Sequence, residues 1–221
     1  GYAERDGYCG YVSAQFLHRA DPATHVVSVR ETYRKETPDL KAFERLFPLY
    51  FGSKLRVVGK EGEWSQVALQ LAGAKSNGVF HFSVPSCHLQ PVGHRWDGLV
   101  EVARLFLGTP YVWGGNSGRG IDCSGLVQAA CLACGVSCPG DSDLQAAMAG
   151  EHLPKDAPLQ SGDLLLWKGH VAMATGSGMM IHANAHHMSV VEEPIEPALA
   201  RIAATDTGGV TLRLRPSLPT G

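Results

Sequence analysis

The sequence has no long apolar run, no cluster of basic residues and no framework of closely spaced cysteines. A membrane-spanning helix needs about 20 consecutive apolar residues, and no stretch of the chain supplies them. Nucleic-acid-binding proteins concentrate positive charge, whereas this chain has a net charge of −2. We therefore expect neither a membrane span nor a nucleic-acid partner.

Signals for export and for metal binding are missing as well. Residues 1–6 have neither the charged nor the apolar part of a signal peptide. Six cysteines in 221 residues do not resemble a disulfide framework, which favours the cytoplasm; a secreted or periplasmic location stays open if the N-terminus is truncated. Cys131, Cys134 and Cys138 have no second pair at zinc-site spacing. No metal or cofactor is expected, and nothing indicates an oligomeric state.

The first 92 residues consist of short β-prone stretches separated by turns. A Pro at the first helical position predicts one short helix, over residues 37–46. The glycine, aromatic residues and final Leu of residues 7–17 recur in residues 78–89, a pattern that resembles the last strands of bacterial SH3 domains. We expect residues 1–22 to be the C-terminal part of a first SH3-like barrel and residues 23–92 to be a second; a generic small barrel is the alternative. The predicted strands are 8–12, 25–29, 54–58, 64–69 and 78–82.

A second domain is predicted over residues 93–221, after the linker Pro-Val-Gly at 91–93. Its first part contains helical patterns, and its second part contains apolar strands separated by glycines. Helices followed by an antiparallel meander indicate an α+β fold. The predicted helices are 97–108, with Asp97 as cap, 123–135 and 143–148, and the predicted strands are 163–167, 170–175, 179–183, 189–192 and 210–215.

Cys123 lies where a glycine-rich loop gives way to a helix. Unpaired N–H groups and the positive end of a helix stabilise a thiolate, and such sites lower a cysteine pKa from about 8.5 to roughly 3.5–7.5. The polar surroundings of Cys123 therefore predict an accessible thiol that acts as a nucleophile. The alternative is an inert core cysteine, which is what we expect of the other five.

Two histidines are placed to assist such a thiol. A thiol nucleophile needs a base and a polar group that orients the base. His170 and His182 flank a turn at residues 176–178, and strands joined by this turn bring them together on one face. His170 is then the base and His182 the orienting group, whereas His186 and His187 are expected to be exposed. For a single histidine, a satisfied or surface position would be the simpler interpretation.

Five blocks of sequence surround these residues: 109–115, 122–127, 161–165, 169–171 and 181–183. In this order and spacing they resemble the NlpC family of papain-like cell-wall cysteine peptidases, over about residues 97–215. The resemblance implies a papain-like catalytic domain, with helices packed on an antiparallel sheet. It assigns Cys123 as nucleophile, His170 as base and His182 as the third polar residue.

The resemblance also implies a substrate, because the family cleaves murein peptides between γ-linked D-glutamate and a diamino acid. It places Tyr111 at the oxyanion, together with the backbone N–H of Cys123. The alternative for Tyr111, Trp113 and Tyr8 is core packing, and for Asp122 it is a cap of the Cys123 helix. The residues expected in the substrate cleft are Tyr8, Tyr111, Trp113, Asp122, Ser124 and Ser142.

The predicted function is that of a γ-D-glutamyl-diamino acid endopeptidase acting on murein fragments with a free N-terminal L-Ala, as in relatives that recycle wall peptides. Asp122 and the Tyr8 hydroxyl are the expected acceptors for the free amine. Two alternatives stay open. One is a wall-binding or wall-remodelling protein without N-terminal restriction, and the other is a papain-like amidase or acyltransferase.

Overall fold

The computed structural model describes residues 1–14, 17, 21–70 and 78–219. The chain divides into two units. The first contains Gly1–Tyr2 and Cys9–His94, and the second contains Ala3–Tyr8 and Arg95–Gly221. Across the described ranges, no helix is long and apolar enough to cross a membrane.

The first unit is built from eight short strands among its described residues: β1 His25–Val27, β2 Glu31–Arg34, β3 Phe47–Tyr50, β4 Lys54–Leu55, β5 Val57–Glu61, β6 Trp64–Gln70, β7 Val79–Pro85 and β8 Leu89–Pro91. They form antiparallel sheets in the orders β4-β1-β8, β2-β3 and β5-β6-β7. Alternate side chains of these strands point inward and form one apolar core. Its members include Val27, Leu55, Val67, Phe82, Val84 and Leu89. The SH3-like assignment of this unit stays a prediction.

The helix predicted over residues 37–46 is wrong, because the segment is an irregular loop. The buried ammonium group of Lys35 donates hydrogen bonds to the backbone carbonyls of Asp39 and Ala42. The Glu44 carboxylate accepts from the backbone N–H groups of Glu36 and Thr37, at 2.6 and 3.1 Å. The carbonyls that Lys35 binds would accept helical hydrogen bonds in a helix over residues 37–46, and a buried ammonium must be fully hydrogen-bonded.

The strand predicted over residues 8–12 is also wrong. A single β-bridge between Tyr2 and Cys9 takes its place, and a turn connects them in which Gly7 has φ +73°. Within this turn the Asp6 carboxylate accepts from the backbone N–H of Tyr8 at 3.1 Å. Residues 15–16 and 18–20 of the predicted first barrel lie outside the described residues.

The described part of the second unit contains α1 Leu99–Arg104, β9 Asn116–Ser117, β10 Gly120–Ile121, α2 Cys123–Ala133, α3 Ser142–Gln145, β11 Gly150–His152, β12 Leu164–Trp167, β13 His170–Gly176, β14 Met179–Asn184, β15 Ser189–Pro194, α4 Ile195–Ala203 and β16 Leu212–Pro216. Six strands form one antiparallel sheet in the order β11-β16-β12-β13-β14-β15. Gly98, not the predicted Asp97, is the N-cap of α1, and no side chain caps it. Helix α4 and strand β11 were not predicted from the sequence.

Helices cover both faces of this sheet. On one face, Trp167, Ala172 and Met180 pack with Ile195 and Ala198 of α4. On the other, α2 packs against β13 and β14, and its buried face includes Leu126, Val127 and Ala130. Because side chains alternate along a strand, residues of β13 and β14 are divided between the two layers. The N-terminus of α2 is thereby held against the sheet.

Candidate active site

Asp122 holds the glycine-rich loop and the start of α2 together. Its Oδ1 accepts from the backbone N–H of Gly125 at 2.7 Å and from the Ser124 hydroxyl at 3.1 Å. Its Oδ2 accepts from the backbone N–H of Gly114 at 2.8 Å. An N-cap carboxylate pairs with an orphan N–H group of the first helical turn. The side chain is nearly buried, so its main partners are in the protein.

Two glycines allow the loop to pack closely against the helix. A Cβ at Gly125 would lie 2.5 Å from the carbonyl oxygen of Gly115, and one at Gly115 would lie 2.7 Å from that of Gly120. Such distances are well below ordinary van der Waals contact, so only glycine fits. The glycines before and after Cys123 thus set the position of the nucleophile candidate.

The Cys123 side chain is buried, with 6% of its surface exposed. Burial raises the pKa of its thiol and the Asp122 charge raises it further, while the backbone N–H groups of Val171, Ser124 and Cys123 itself act in the opposite direction. The prediction of an accessible thiol with a lowered pKa was therefore wrong. The helix start supplies N–H groups as expected, but desolvation outweighs them.

His170 and His182 lie on the neighbouring strands β13 and β14. Their register pairs Met173 with Ile181, so His182 lies opposite Ala172, and His170 is its diagonal neighbour on the same face. The His170 Nε2 atom is 2.9 Å from His182 Nδ1. The hairpin thus brings the two imidazoles into hydrogen-bonding contact, diagonally and not directly across.

The position of His170 also connects it with Cys123. The backbone N–H of Val171, the residue after His170, donates to the Cys123 sulphur. Burial, followed by the charges of His182 and Arg201, lowers the pKa of His170 to about 3. Burial also lowers the pKa of His182, although Glu193 acts in the opposite direction. At neutral pH the Cys123 thiol and both imidazoles are therefore uncharged.

Two residues that the sequence analysis missed extend this cluster. Glu193 of β15 has its Oε1 atom 2.7 Å from His182 Nε2. Arg201 of α4 donates to both oxygens of the same carboxylate, from Nη1 at 2.8 Å and from Nη2 at 2.6 Å. Burial alone would raise the pKa of Glu193, but the bonds from Arg201 and His182 lower it to about 2. The carboxylate is therefore ionised.

A cavity of about 340 Å³ opens beside the histidines. Tyr111 lines it together with His170, His182, Asn184 and Arg201. Burial raises the pKa of the Tyr111 phenol, and the nearby Cys123 and Asp122 raise it further. The phenol therefore keeps its proton at neutral pH and can donate a hydrogen bond into the cavity.

The other predicted cleft residues lie in different surroundings. Trp113 is 89% exposed and Tyr8 is 61% exposed, so neither is a core aromatic. Ser124 is buried and donates its hydroxyl to Asp122. Ser142 is half-buried at the first residue of α3. His186 and His187 are both exposed, as predicted.

Two glutamines, also missed from the sequence, support the helix that carries Cys123. The Gln145 amide of α3 donates to the carbonyls of Ser124 and Pro139, each at 2.9 Å. The Gln128 amide donates at 3.1 Å to the carbonyl of Cys138 and at 3.1 Å to the carboxylate of Asp6. The Ala3–Tyr8 turn is thereby joined to α2. Among the described residues, no three His, Cys, Asp or Glu side chains are grouped so that they could hold a metal.

Comparison with known proteins gives consistent matches. Residues 108–201 match the model of the NlpC/P60 family. A gamma-D-glutamyl-L-lysine dipeptidyl-peptidase of Bacillus subtilis (strain 168) is 36% identical over 142 residues, covering 56% of this chain and 47% of that protein. A protein of the same name from Bacillus cereus (strain ATCC 10987 / NRS 248) is 39% identical over 111 residues, covering 45% of this chain and 32% of that protein. The chain thus spans half or less of these curated relatives.

Among solved structures, an NlpC/P60 family protein from Bacillus cereus ATCC 10987 matches with a TM-score of 0.68 and 25% sequence identity, over 90% of this chain and 64% of that one. This likeness confirms the predicted α+β, papain-like fold. The matches also support the resemblance to NlpC/P60 cell-wall peptidases. The matched segment contains Cys123, His170, His182, Glu193 and Arg201.

Proposed function

We propose that this protein is a cysteine endopeptidase that hydrolyses the γ-D-glutamyl-diamino acid bond of murein peptides and prefers fragments with a free N-terminal L-Ala. The supporting observation is the buried Cys123 thiol, hydrogen-bonded by the residue next to His170, with His182 2.9 Å from His170. The segment that carries all three resembles the NlpC/P60 family, and relatives at 36–39% identity are named for the γ-D-glutamyl-L-lysine bond.

Hydrolysis begins when the Cys123 sulphur attacks the γ-carbonyl carbon of D-glutamate while the thiol proton passes to His170. The C–N bond then breaks as His170 returns this proton to the leaving amine of the diamino acid, and a thioester remains. Water attacks the thioester with His170 again as the base, which releases the γ-carboxylate and restores the thiol. The backbone N–H of Cys123 and the Tyr111 hydroxyl stabilise the oxyanion, where one donor contributes about 10²–10³ in rate.

The preference for a free amine depends on Asp122 and Tyr8. A carboxylate has about four acceptor sites, and three protein donors bind that of Asp122. One site is left for a substrate ammonium. Tyr8 belongs to the same unit as Asp122, and its ring lies 4.0 Å from where a Cβ at Gly140 would be. Its exposed hydroxyl is a second acceptor for the amine.

A role in wall-peptide recycling in the cytoplasm completes the proposal. All six cysteines are free thiols, which is the usual state in a reducing compartment. Wall binding without catalysis would leave the same peptides intact, and amide hydrolysis elsewhere or acyl transfer would give different products.

The test is mass spectrometry of products from L-Ala-γ-D-Glu-L-Lys and L-Ala-γ-D-Glu-diaminopimelate, each with and without N-acetylation. We expect cleavage of the γ-D-glutamyl bond by the wild type, none by Cys123→Ala, and a much lower kcat/KM for the acetylated peptides. Tyr8→Phe should lower kcat/KM for the free peptides about tenfold, the effect of one hydrogen bond to a charged group. Tyr11→Phe, at a fully exposed tyrosine, should have no effect. Equal rates for free and acetylated peptides would remove the amine preference, and absence of γ-bond cleavage would remove the peptidase.

A further inference from the structure

A continuous chain of hydrogen bonds runs from the helix α4 to His170. Arg201 donates twice to Glu193, the Glu193 Oε1 atom is 2.7 Å from His182 Nε2, and His182 Nδ1 is 2.9 Å from His170 Nε2. The His182 side chain is fully buried. Water therefore does not compete for either of its ring nitrogens.

This chain of contacts allows only one arrangement of protons on neutral rings. An ionised carboxylate accepts hydrogen bonds and cannot donate, so His182 must carry its proton on Nε2, toward Glu193. Its Nδ1 then has no proton and accepts from His170 Nε2–H. His170 in turn keeps Nδ1 free of a proton. Nδ1 is the only ring nitrogen of His170 left to receive the thiol proton.

Arg201 keeps the Glu193 carboxylate in this role. Desolvation of the half-buried Glu193 carboxyl would by itself raise its pKa, and a protonated carboxyl could donate to His182 and reverse the chain. The paired guanidinium prevents this by binding both oxygens in the bidentate geometry that Arg and carboxylates favour. His187 also faces Glu193, with its Nδ1 4.0 Å from Oε1.

We propose that Glu193 and Arg201 are positioning residues of the catalytic site, which fix the tautomers of His182 and His170 so that Nδ1 of His170 is left unprotonated as the acceptor of the thiol proton. The inference rests on the proposed peptidase function and deepens it. It assigns a role to the last residues of β15 and to α4. Glu193 binds His182 and Arg201 binds Glu193, so both act through His182.

The adjacent ion pair provides a matched control. Glu192, one residue earlier in β15, accepts two hydrogen bonds from Arg104 of α1, at 3.1 and 2.8 Å, and one from the Thr175 hydroxyl at 2.6 Å. It resembles Glu193 in its bidentate arginine pair, but successive residues of a strand point to opposite faces. If the arginine–carboxylate pairs of this strand had only a structural role, removing Glu192 and removing Glu193 would have equal effects on kcat.

The experiment compares Glu193→Ala, Glu193→Gln and Glu192→Ala with the wild type, after circular dichroism has established that each is folded. We expect Glu193→Ala to lower kcat by about tenfold to a hundredfold, as for removal of an orienting partner, with KM within about twofold. Glu193→Gln should recover part of the loss, because its amide oxygen can still accept from His182 Nε2. Glu192→Ala should keep the wild-type kcat. Equal losses in Glu193→Ala and Glu192→Ala would overturn the proposal.

A second readout does not depend on activity. Long-range ¹H–¹⁵N correlation spectra of the imidazoles should show Nε2–H tautomers for both His170 and His182 in the wild type, and a population of Nδ1–H at His182 in Glu193→Ala. A protonated Nδ1 at His182 in the wild type would overturn the proposal. If the wild type cleaved no murein peptide, the peptidase proposal would fail, whereas these spectra would still decide the tautomers.

Discussion

Replacing Asp122 by alanine removes three hydrogen bonds at the start of the helix α2. Loss of an N-cap side chain costs about 0.5–2 kcal/mol, and a hydrogen bond to a charged group contributes about 1.5–3 kcal/mol. The Gly114 N–H is near the surface and the Ser124 hydroxyl can rotate, so both recover part of their loss. We expect a decrease of about 2–4 kcal/mol in the free energy of unfolding.

Two milder variants separate the contributions of the three bonds. Asp122→Ser keeps an acceptor for Gly125 but does not reach Gly114. Asp122→Asn keeps the Oδ1 acceptor, but it places an amide where Oδ2 accepts and removes the negative charge from the helix start. A charge at this position contributes about 0.3–1 kcal/mol. Both variants should therefore lie between the wild type and Asp122→Ala.

Calorimetry measures the effect. In a chain of this size each kcal/mol lowers Tm by about 2–4 °C, so Asp122→Ala should melt roughly 4–16 °C lower. Asp141→Ala is the control, because Asp141 is the N-cap residue of α3 but makes no side-chain cap bond; its variant should stay within about 0.5 kcal/mol of the wild type. Equal Tm values for the two alanine variants would refute the cap argument.

Two further predictions concern pH. Burial raises the pKa of the Cys123 thiol. The wild type and Cys123→Ser should therefore show the same ultraviolet thiolate absorbance at neutral pH and differ only in alkaline solution. A thiolate signal from Cys123 at pH 7 would contradict a neutral Cys123 thiol. The pKa of His170 is lowered from its ordinary value of 6.5 to about 3. Between these two pH values the His170 ring binds a proton in the unfolded chain but not in the folded protein. The free energy of unfolding therefore falls as the pH falls through this range. The Tm of His170→Gln should therefore decrease less than that of the wild type over this range, and parallel pH curves would contradict the lowered pKa.

The elements that the sequence predicted well are those with strong local patterns. The helix from Cys123 follows a run of glycines and has its own apolar periodicity, and β12 to β14 are apolar segments separated by glycine-containing turns. His170 and His182 could be paired because a single short turn joins their strands. In each case the information lies within about 15 residues, which is the range that periodicity and turn signals cover.

The mispredicted elements depend on contacts that sequence patterns do not show, or contain a proline that interrupts a helical pattern. Residues 37–46 have a helical pattern, but the buried Lys35 ammonium takes carbonyls of that segment. The helix α4 was missed because Pro197, its third residue, interrupts the pattern. Proline is tolerated in the first turn, where the N–H has no helical partner. Missing α4 concealed Arg201, and with it the role of Glu193.

The thiol was mispredicted because two opposing effects had to be compared in size. A helix N-terminus stabilises a charge by about 0.3–1 kcal/mol, and up to about 2 kcal/mol in partly buried geometries. At 1.36 kcal/mol for each pKa unit, the larger value lowers a pKa by roughly 1.5 units. Burial shifts the pKa of a fully buried group by up to 3–5 units. The sequence shows the helix start but not the burial of Cys123, which depends on how α2 packs against the sheet.

A neutral resting thiol makes proton transfer the step on which catalysis depends. With no stored thiolate, the Cys123 sulphur becomes nucleophilic only as its proton leaves, and His170 must accept that proton during the attack. A neutral imidazole with its proton on Nδ1 cannot do so. The tautomer of His170 is set by the partner of its second nitrogen, and that partner is the fully buried His182. His182 can accept from His170 only if its own proton is held on Nε2, which requires an ionised Glu193. The low pKa of that carboxylate, about 2, keeps it ionised throughout the range in which such an enzyme would operate.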